Sequence, residues 1–393
     1  MNRITLFQNP ADCSGCGACA IACPKQAIVM QPDQQGCLYP VISQESCIQC
    51  GKCLKVCAYK AMEGTAPICA YGAVGKSDTL VSNSASGGIF ATLATSCMEQ
   101  GGMAAGAVMD LYKDDVAVYH ILSGNVGDIS RMQGSKYVQS QAFCCYEDVQ
   151  KTLRAGKTVF FSGTPCQVSA IKKLTGDPEN LITADLICHG VPPVEKLSGF
   201  IKVLAKRFRG EVKSLCFRDK TSKKHFTARI HIQKKKKTKI YRLRPQYMSF
   251  YHHFCEAVNY RENCYQCPYA CTKRVSDLTI GDYWGIEKHH AEDIQSGKIP
   301  DRRDWSCVLV NTEKGRAFLE SCGKDLLLFP TKTEWVADTN RQLREPSAKG
   351  QQREQVLQAY TQGGYPAVER MFIRNKGGAL RFYRRMYRSM RRQ

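Results

Sequence analysis

The sequence lacks a long apolar run, and this absence limits where the chain can sit. No stretch of about 18 or more apolar residues occurs, so a transmembrane helix is not expected. The apolar run at residues 1–8 is too short for a signal peptide. At 393 residues the chain is too long for a single ferredoxin, and at roughly 100–200 residues per domain it predicts two or three domains.

Acidic residues are scarce in two segments of a chain whose formal net charge is +21. Residues 202–244 contain 17 lysines and arginines against Glu211 and Asp219, and residues 371–393 contain eight basic residues and no acid. Such blocks favour an acidic partner: a nucleic acid, an anionic membrane, a polyanionic cofactor or an acidic redox protein. Nucleic acid is not expected, because the lysine run at residues 234–237 lacks interleaved aromatic residues and no reader motif is present. The tail mixes arginines with apolar residues, so peripheral membrane contact is an alternative to a solvated end.

Cysteine, in contrast, is abundant, with 22 residues, and eight of them form two runs of the same spacing. The first run is Cys13, Cys16, Cys19 and Cys23, and the second is Cys47, Cys50, Cys53 and Cys57. This spacing is that of a two-cluster bacterial ferredoxin, in which three cysteines of a run bind one [4Fe–4S] cluster and the fourth binds the other. We therefore predict one cluster on Cys13, Cys16, Cys19 and Cys57, and a second on Cys47, Cys50, Cys53 and Cys23.

A zinc site is the alternative interpretation of clustered cysteines. Four-cysteine zinc sites, however, have two separated C-x-x-C pairs rather than a doubled run of four. Pro24 follows the first run as expected, whereas Ala58 replaces the proline expected after the second; this change loosens a turn and leaves every ligand in place. Because the leading cysteines have a cluster spacing rather than a disulfide framework, we expect a reducing, cytoplasmic location.

After the cysteine runs the pattern changes to that of an α/β domain. Residues 65–78 read as a linker, and residues 89–98 have helical spacing. Strands are expected at residues 102–109, 158–163, 181–187, 277–282 and 307–310, a helix at 194–208, and antiparallel strands with outward lysines within 213–243. The predicted domains are an α+β ferredoxin-like module at residues 1–64, a mixed α/β domain at residues 65–335 (with parts at about 70–150 and 155–335), and a polar, basic helical tail at residues 336–393.

Four later cysteines predict a third cluster. Cys166 and Cys188 each follow the end of a predicted strand, and Cys264 and Cys267 form a C-x-x-C pair on a polar loop. Strand ends in α/β sheets meet at one edge, where ligands usually bind, and four thiolates suffice for a [4Fe–4S] cluster. Any one of these cysteines could instead be a buried thiol that packs as a small apolar residue. Cys271 is an alternative fourth ligand.

Several short motifs, taken in order, resemble one family. They are Ser86-Gly87-Gly88, Gly134-Ser135-Lys136-Tyr137, Gly163-Thr164-Pro165-Cys166-Gln167, Cys188-His189-Gly190, the Cys264 and Cys267 pair, and the SDLTIGDYWG segment at residues 276–285. As a set, from about residue 10 to about residue 330, they resemble the coenzyme F420 hydrogenase/dehydrogenase beta-subunit family. Members of that family carry FAD and a [4Fe–4S] cluster, and some have a fused ferredoxin-like module. Other bacterial relatives occur in polysaccharide-related gene sets.

The resemblance implies roles by position. It assigns the third cluster to Cys166, Cys188, Cys264 and Cys267, and FAD to the loops at residues 86–88, 134–137 and 163–165, which we call the flavin-side loops. Glycines at a helix start allow close approach of the backbone, and a helix N-terminus favours the FAD pyrophosphate. Lys136 would supply a cation near phosphate or near flavin N1. Without the other motifs, residues 86–88 would read as an ordinary helix start.

Together these features predict an iron–sulfur flavoprotein oxidoreductase that links a one-electron carrier to a two-electron donor or acceptor. The expected partner is an acidic ferredoxin or a flavodoxin-like carrier, with a redox partner subunit as a further candidate. His189, beside Cys188, is a candidate proton donor, with a packed core histidine as the alternative interpretation. The competing functions are a non-catalytic electron-transfer subunit and, more remotely, a nucleic-acid-binding iron–sulfur protein.

Overall fold

The structure, a computed structural model, describes residues 4–59, 63–113, 115–222, 226–302 and 304–391. In these ranges the strands are β1 (Ile28–Pro32), β2 (Leu38–Ile42), β3 (Cys69–Gly75), β4 (Met103–Tyr112), β5 (Asp115–Ser123), β6 (Val159–Gly163), β7 (Leu181–Leu186), β8 (Glu211–Cys216), β9 (Ala228–Lys234), β10 (Lys237–Leu243), β11 (Leu278–Asp282), β12 (Ser306–Val310) and β13 (Leu326–Thr331). The α-helices are α1 (Ala18–Ile21), α2 (Lys52–Lys55), α3 (Asp78–Ser82), α4 (Ile89–Glu99), α5 (Ile129–Met132), α6 (Tyr146–Arg154), α7 (Pro165–Thr175), α8 (Val194–Phe208), α9 (Ser249–Cys255), α10 (Ile286–His289), α11 (Ala291–Gln295), α12 (Glu313–Ser321), α13 (Thr333–Thr339), α14 (Arg353–Asn375) and α15 (Ala379–Arg391).

The centre of the molecule is a mixed sheet of eight strands in the order β13–β3–β12–β11–β7–β6–β4–β5. The run β4–β6–β7–β11 is parallel, and the other pairs are antiparallel. Phe160 and Phe161 of β6 belong to different apolar clusters, one with α4 and α12 and the other with α6 and α7. Because successive side chains of a strand point to opposite faces, helices cover both faces of this sheet. The predicted mixed α/β class is confirmed.

One prediction for this sheet is wrong. The sequence predicts a linker at residues 65–78, but residues 69–75 form β3, which lies between β13 and β12. β3 is rich in alanine and glycine, residue types with weak strand preference, so its strand signal is faint. Gly72 is needed because the Phe329 ring of β13 occupies the place where a Cβ would stand. Long-range pairing, rather than local propensity, makes this segment a strand.

Each of the two cysteine runs in the N-terminal module contains one short helix. α1 follows Gly17 and α2 follows Gly51, and both glycines are left-handed, with φ of 76° and 71°. Each glycine follows the second cysteine of its run, where the loop must turn sharply to bring its thiols around one cavity. At Gly17 a Cβ would also clash with the Phe143 ring. β1 and β2 form a separate antiparallel pair within this module.

The cysteine loops of the module attach it to the rest of the molecule. The Gln139 side-chain amide donates hydrogen bonds to the carbonyl oxygens of Ser14, at 2.9 Å, and Gly15, at 3.2 Å. Lys173 Nζ of α7 donates to the carbonyl oxygen of Cys57 at 2.7 Å. The loops that carry the cysteines thus attach the module, and Gln35 of the β1–β2 turn adds a hydrogen bond to Thr361 Oγ1 at 2.8 Å.

A second sheet, in the order β10–β9–β8, lies beside α8 and carries much of the basic segment. Its strands are antiparallel, as predicted. Ile230 and Ile232 of β9 are buried in the core that α8 shares, whereas Lys235, Lys236 and Lys237 at the β9–β10 turn are exposed. The apolar residues of β9 alternate toward the core, and the lysines of the turn lie on the surface.

α14 and α15 extend the same core. α14 is kinked at Gly363 and Gly364, whose backbones leave helical geometry. Phe382 and Met386 of α15 are 1% and 0% exposed, while arginines such as Arg384 remain on the surface. The apolar side of this helix is therefore packed on protein. Among the described residues, no helix combines the length and the hydropathy that a membrane crossing requires.

We expect Phe382→Ala to lower the free energy of unfolding by about 3 kcal/mol, because it deletes a buried aromatic ring. Leu380→Ala, on the same helix but at a side chain that is 86% exposed, is the matched control and should leave stability unchanged. Anaerobic urea unfolding followed by circular dichroism measures both variants. Equal stability of the two variants would contradict the packing of α15.

Candidate functional site

The eight cysteines of the two runs line two small cavities. Cys13, Cys16, Cys19 and Cys57 line the first-run cavity, and Cys23, Cys47, Cys50 and Cys53 line the second-run cavity. The last cysteine of each run thus lies at the cavity of the other run, which is the arrangement that crossed ligand sets require. Cys53 lines both cavities, so the two are adjacent.

The chemistry of these loops fits iron–sulfur clusters. The Gly15 N–H donates to Cys13 Sγ at 3.4 Å, and the Ala27 N–H donates to Cys23 Sγ at 3.3 Å. Hydrogen bonds of this kind stabilise anionic sulfur and tune cluster potentials. Burial raises the pKa of Cys13 and the pKa of Cys16 to about 11, so a bound metal must displace their protons.

A third cavity lies at the carboxyl ends of β6 and β7. Four cysteines line it, namely Cys166, Cys188, Cys264 and Cys267. They come from the first turn of α7, the segment after β7, and a 3-10 turn at Glu262–Gln266 with the residue that follows it. Ser14 of the module also lines this cavity. Cys271 does not, and its thiol donates to the carbonyl oxygen of Lys273 at 3.2 Å.

Arg274 fixes the loop that carries the C-x-x-C pair. Its guanidinium binds the Asp185 carboxylate of β7 at 3.0 Å and donates to the carbonyl oxygens of Tyr269, at 2.7 Å, and Cys271, at 3.2 Å. Within the described ranges, no three His, Cys, Asp or Glu side chains are grouped tightly enough for one metal ion. The cysteines surround cavities instead, and a [4Fe–4S] cluster takes up four thiolates in this way.

A fourth cavity of about 320 Å³, the main cavity, opens beside the third one. All three flavin-side loops contribute to its lining, through Ser86, Gly88, Gly134, Ser135, Lys136, Tyr137, Gly163 and Thr164. Pro165 lines the third cavity instead. Residues 188–191 line both cavities. The volume falls in the usual range of ligand sites, about 300–1,000 Å³.

Gly87 differs from its neighbours in the first of these loops. Its N–H donates to Ser306 Oγ at 2.9 Å, and a Cβ would stand 2.7 Å from the Ala73 carbonyl oxygen. Gly87 thus allows the loop to pack on the sheet. Gly88, with φ of 78°, precedes α4, and Ile89 in the first turn of that helix lines the main cavity.

Lys136 lines the main cavity but its ammonium group is already bonded. Nζ donates to the carbonyl oxygens of Arg131 at 3.0 Å, Met132 at 2.7 Å and Gln133 at 2.9 Å. Three carbonyl oxygens at the end of α5 accept hydrogen bonds from its three N–H groups. A direct bond to a phosphate would require one of these hydrogen bonds to break. Burial lowers the pKa of Lys136 to about 7.

His189 lines both the main and the third cavity, and its side chain is accessible within them. The surrounding protein nevertheless desolvates the ring, and this burial lowers the pKa of His189, with the Asp282 carboxylate opposing the effect. An accessible imidazole at this place differs from a packed core histidine. The backbone carbonyl oxygen of His189 accepts a hydrogen bond from Ser347 Oγ at 2.6 Å, and this bond fixes the backbone there.

Two residues that the sequence analysis missed also line the main cavity. His120 Nε2 lies 3.0 Å from the Ser162 carbonyl oxygen and so carries the proton, which leaves Nδ1 as an acceptor; in the described part of the chain Nδ1 has no partner. Burial lowers the pKa of His120 to about 4, so the ring is neutral. Arg218 Nη1 binds Asp282 at 2.9 Å. Neither residue lies in a motif, so only the fold identifies them.

Two family models match parts of the chain. Residues 156–330 match the family model for the C-terminal part of the coenzyme F420 hydrogenase/dehydrogenase beta subunit, and residues 12–61 match the "4Fe-4S dicluster domain". Residues 156–330 are therefore similar to the C-terminal part of this beta-subunit family. The resemblance inferred from the motifs is therefore confirmed. The matched beta-subunit region contains the four cysteines of the third cavity, and the dicluster domain contains both cysteine runs.

A chain in the xenon-derivatized F420-reducing [NiFe] hydrogenase complex from Methanosarcina barkeri is similar in structure, with a TM-score of 0.45 and 14% sequence identity. The alignment covers 77% of this chain and 97% of that chain. A comparison with curated proteins finds no match.

We expect Cys57→Ser to change the cluster of the first-run cavity, although Cys57 belongs to the second run, because an oxygen ligand replaces a sulfur there. EPR of the anaerobically reduced protein measures this, with Cys13→Ser and Cys47→Ser assigning the two signals. Cys144→Ser, at an exposed cysteine that lines none of the three cysteine cavities, should match the unmodified protein. A change confined to the signal that Cys47→Ser alters would contradict crossed ligation.

Proposed function

We propose that this chain is an iron–sulfur flavoprotein oxidoreductase that passes electrons between a one-electron carrier and a two-electron donor or acceptor. The observation that carries the proposal is the continuity of the four cavities. The second-run and first-run cavities share Cys53, the first-run and third cavities share Ser14, and the third and main cavities share residues 188–191. A path through them runs from the exposed Cys50 to a cavity of ligand size. We expect it to work in a reducing cytoplasm.

The clusters would be held by the twelve cysteines that line the three cysteine cavities. Bound [4Fe–4S] clusters and FAD supply one-electron transfer and its conversion to two-electron chemistry. The chain's own residues provide thiolates, N–H donors to sulfur, and enclosure. Cys166 lies in the first turn of α7, where the helix dipole stabilises negative charge.

FAD would lie in the main cavity. The N-terminus of the 11-residue helix α4 is at the cavity wall, and Gly88 provides no side-chain cap there, so its first N–H groups suit a pyrophosphate. His120 Nδ1 is a buried acceptor that a donor group of the ligand can satisfy after a small adjustment of the ring. Lys136 would contribute a partial positive charge from the wall rather than a direct phosphate bond, because its pKa is lowered to about 7.

His189 is placed to move a proton. Its side chain lines the wall that the third and main cavities share, so it can reach a molecule bound beside the flavin site. Burial lowers the pKa of His189 from the ordinary histidine value and so favours the neutral ring, with the Asp282 carboxylate opposing this effect. Asp282 and Arg218 add a fixed ion pair to the same lining.

The main cavity favours this function over that of a non-catalytic electron-transfer subunit, because such a subunit needs only the cluster cavities. Purified protein that reduces an organic acceptor without a partner subunit would exclude the carrier-only function.

We expect anaerobically purified protein to contain about twelve iron atoms, four for each of three clusters, and about one FAD per chain. Ala107→Leu should sharply lower the flavin content, because the larger side chain protrudes into the main cavity that Ala107 lines. Ala117→Leu, on the neighbouring strand and outside the cavity lining, is the control and should keep its flavin. About eight iron atoms would rule out the third cluster, and full flavin content in Ala107→Leu would rule out this cavity as the flavin site.

An acidic ferredoxin or a flavodoxin-like carrier would dock where the second-run cavity reaches the surface. Ile48, which is 58% exposed, lines this cavity beside the exposed Cys50, and Lys25, Lys52 and Lys55 are exposed around it. An apolar centre with a cationic rim is a suitable contact for an acidic protein.

Electron delivery from a reduced acidic carrier should slow as salt rises, because the Debye length falls from about 30 Å at 0.01 M to about 10 Å at 0.1 M. Replacing Lys25, Lys52 and Lys55 together by glutamine should flatten this dependence. The comparison variant replaces Lys235, Lys236 and Lys237, which are exposed but line none of the cysteine cavities, and it should keep most of the salt dependence. Stopped-flow reduction measures both. The reverse ranking would move the docking site to the β9–β10 turn.

A further inference from the structure

Arg261 is a buried cation without a carboxylate partner. It is 1% exposed and immediately precedes the 3-10 turn that carries Cys264. Three other arginines with deeply buried side chains each bind a carboxylate: Arg207 with Glu369, Arg274 with Asp185, and Arg353 with Glu262. Among the residues that the structure describes, no ion pair includes Arg261.

The contacts of its guanidinium are all with neutral groups. Nη1 donates to Gln139 Oε1 at 2.9 Å, Nη2 to the Cys13 carbonyl oxygen at 3.1 Å, and Nε to Asn263 Oδ1 at 3.3 Å. The Tyr39 ring lies 4.6 Å from the guanidinium carbon. These contacts give each guanidinium nitrogen a partner but include no carboxylate, and the Glu195 carboxylate acts on Arg261 without contacting it. A buried charge without a counter-charge in contact destabilises a fold.

The position of Arg261 identifies the missing negative charge. Cys13, whose carbonyl it binds, lines the first-run cavity, and Asn263, which it also binds, lines the third cavity beside Cys264. Its backbone N–H donates to the Val191 carbonyl oxygen at 3.0 Å, and Val191 lines the third and main cavities. The guanidinium therefore lies between two groups of four thiols, which become anionic when they bind iron.

We propose that Arg261 is the shared counter-ion of the first-run and third clusters and favours their reduced forms. Reduction of a cluster adds one electron from the one-electron carrier and, without a proton, one negative charge. A cation fixed between the two sites stabilises that charge on either of them. The inference rests on the proposed clusters and is independent of the flavin. The hydrogen bonds of Arg261 position the residues beside both cavities, and its charge acts on the reduced clusters.

EPR-monitored redox titration of the full chain tests the proposal. Arg261→Gln should shift the reduction equilibrium of the first-run and third clusters about tenfold toward the oxidised form, which is about 59 mV for a one-electron couple. Arg261→Lys keeps the charge, so the potentials of both clusters should stay close to those of the unmodified protein. The second-run cluster, which Arg261 does not contact, is the internal control. Cys13→Ser, Cys47→Ser and Cys264→Ser assign the signals.

Asn263→Asp provides a second test that leaves the arginine in place. It sets a carboxylate of the same shape against Nε, so it should neutralise the cation and shift the same two clusters in the same direction. If Arg261→Gln loses iron, the potentials of the Asn263→Asp variant test the proposal instead. Unchanged potentials in Asn263→Asp, or equal shifts in the glutamine and lysine variants, would overturn the proposal. Absence of flavin would count against the proposed flavoprotein and leave this result intact.

Discussion

Twelve cysteine thiols must reach three cavities, and much of the structure is arranged around that requirement. Eight come from two loops that are tightened by left-handed Gly17 and Gly51. The others come from the start of α7 and the segment after β7, which the parallel order of β6 and β7 brings to one sheet edge, and from the 3-10 turn that precedes β11. Because these loops lie far apart in sequence, each needs its own attachment, and Arg274 provides it for the C-x-x-C pair by binding Asp185.

Where the N-terminal module contacts the sheet domain, the cysteine loops provide hydrogen-bond acceptors and the sheet domain provides donors. Their N–H groups turn toward sulfur, as Gly15 does toward Cys13, so their carbonyl oxygens turn outward. The sheet domain meets these oxygens with donors: the Gln139 amide, Lys173 Nζ and Arg261 Nη2. These polar contacts lie beside an apolar one, because Ala18 and Ala58 of the module are buried in the same cluster as Phe161 of the sheet.

The cysteine spacing predicted which residues could share a cluster cavity, because that spacing is a local property of a loop. The helices at residues 89–98 and 194–208 and the buried strands were predictable for a similar reason, since periodicity along the chain encodes which face is buried. β3 was not, because its pairing partners β12 and β13 are more than two hundred residues away and its own residues are small. His120, Arg218 and Arg261 lie outside every motif. Their significance comes from what the fold places beside them, which a single sequence does not display.

The proposed electron path leads from an exposed thiol to a buried one, and this has an electrostatic consequence. Cys50 at one end is exposed, whereas Cys264 in the third cavity is buried. An added negative charge is less favourable in an enclosed site, where water cannot screen it. The inner clusters would therefore be harder to reduce than the outer one unless the protein supplied a cation. Arg261 lies where the path leaves the N-terminal module for the sheet domain, and its charge supplies that compensation there.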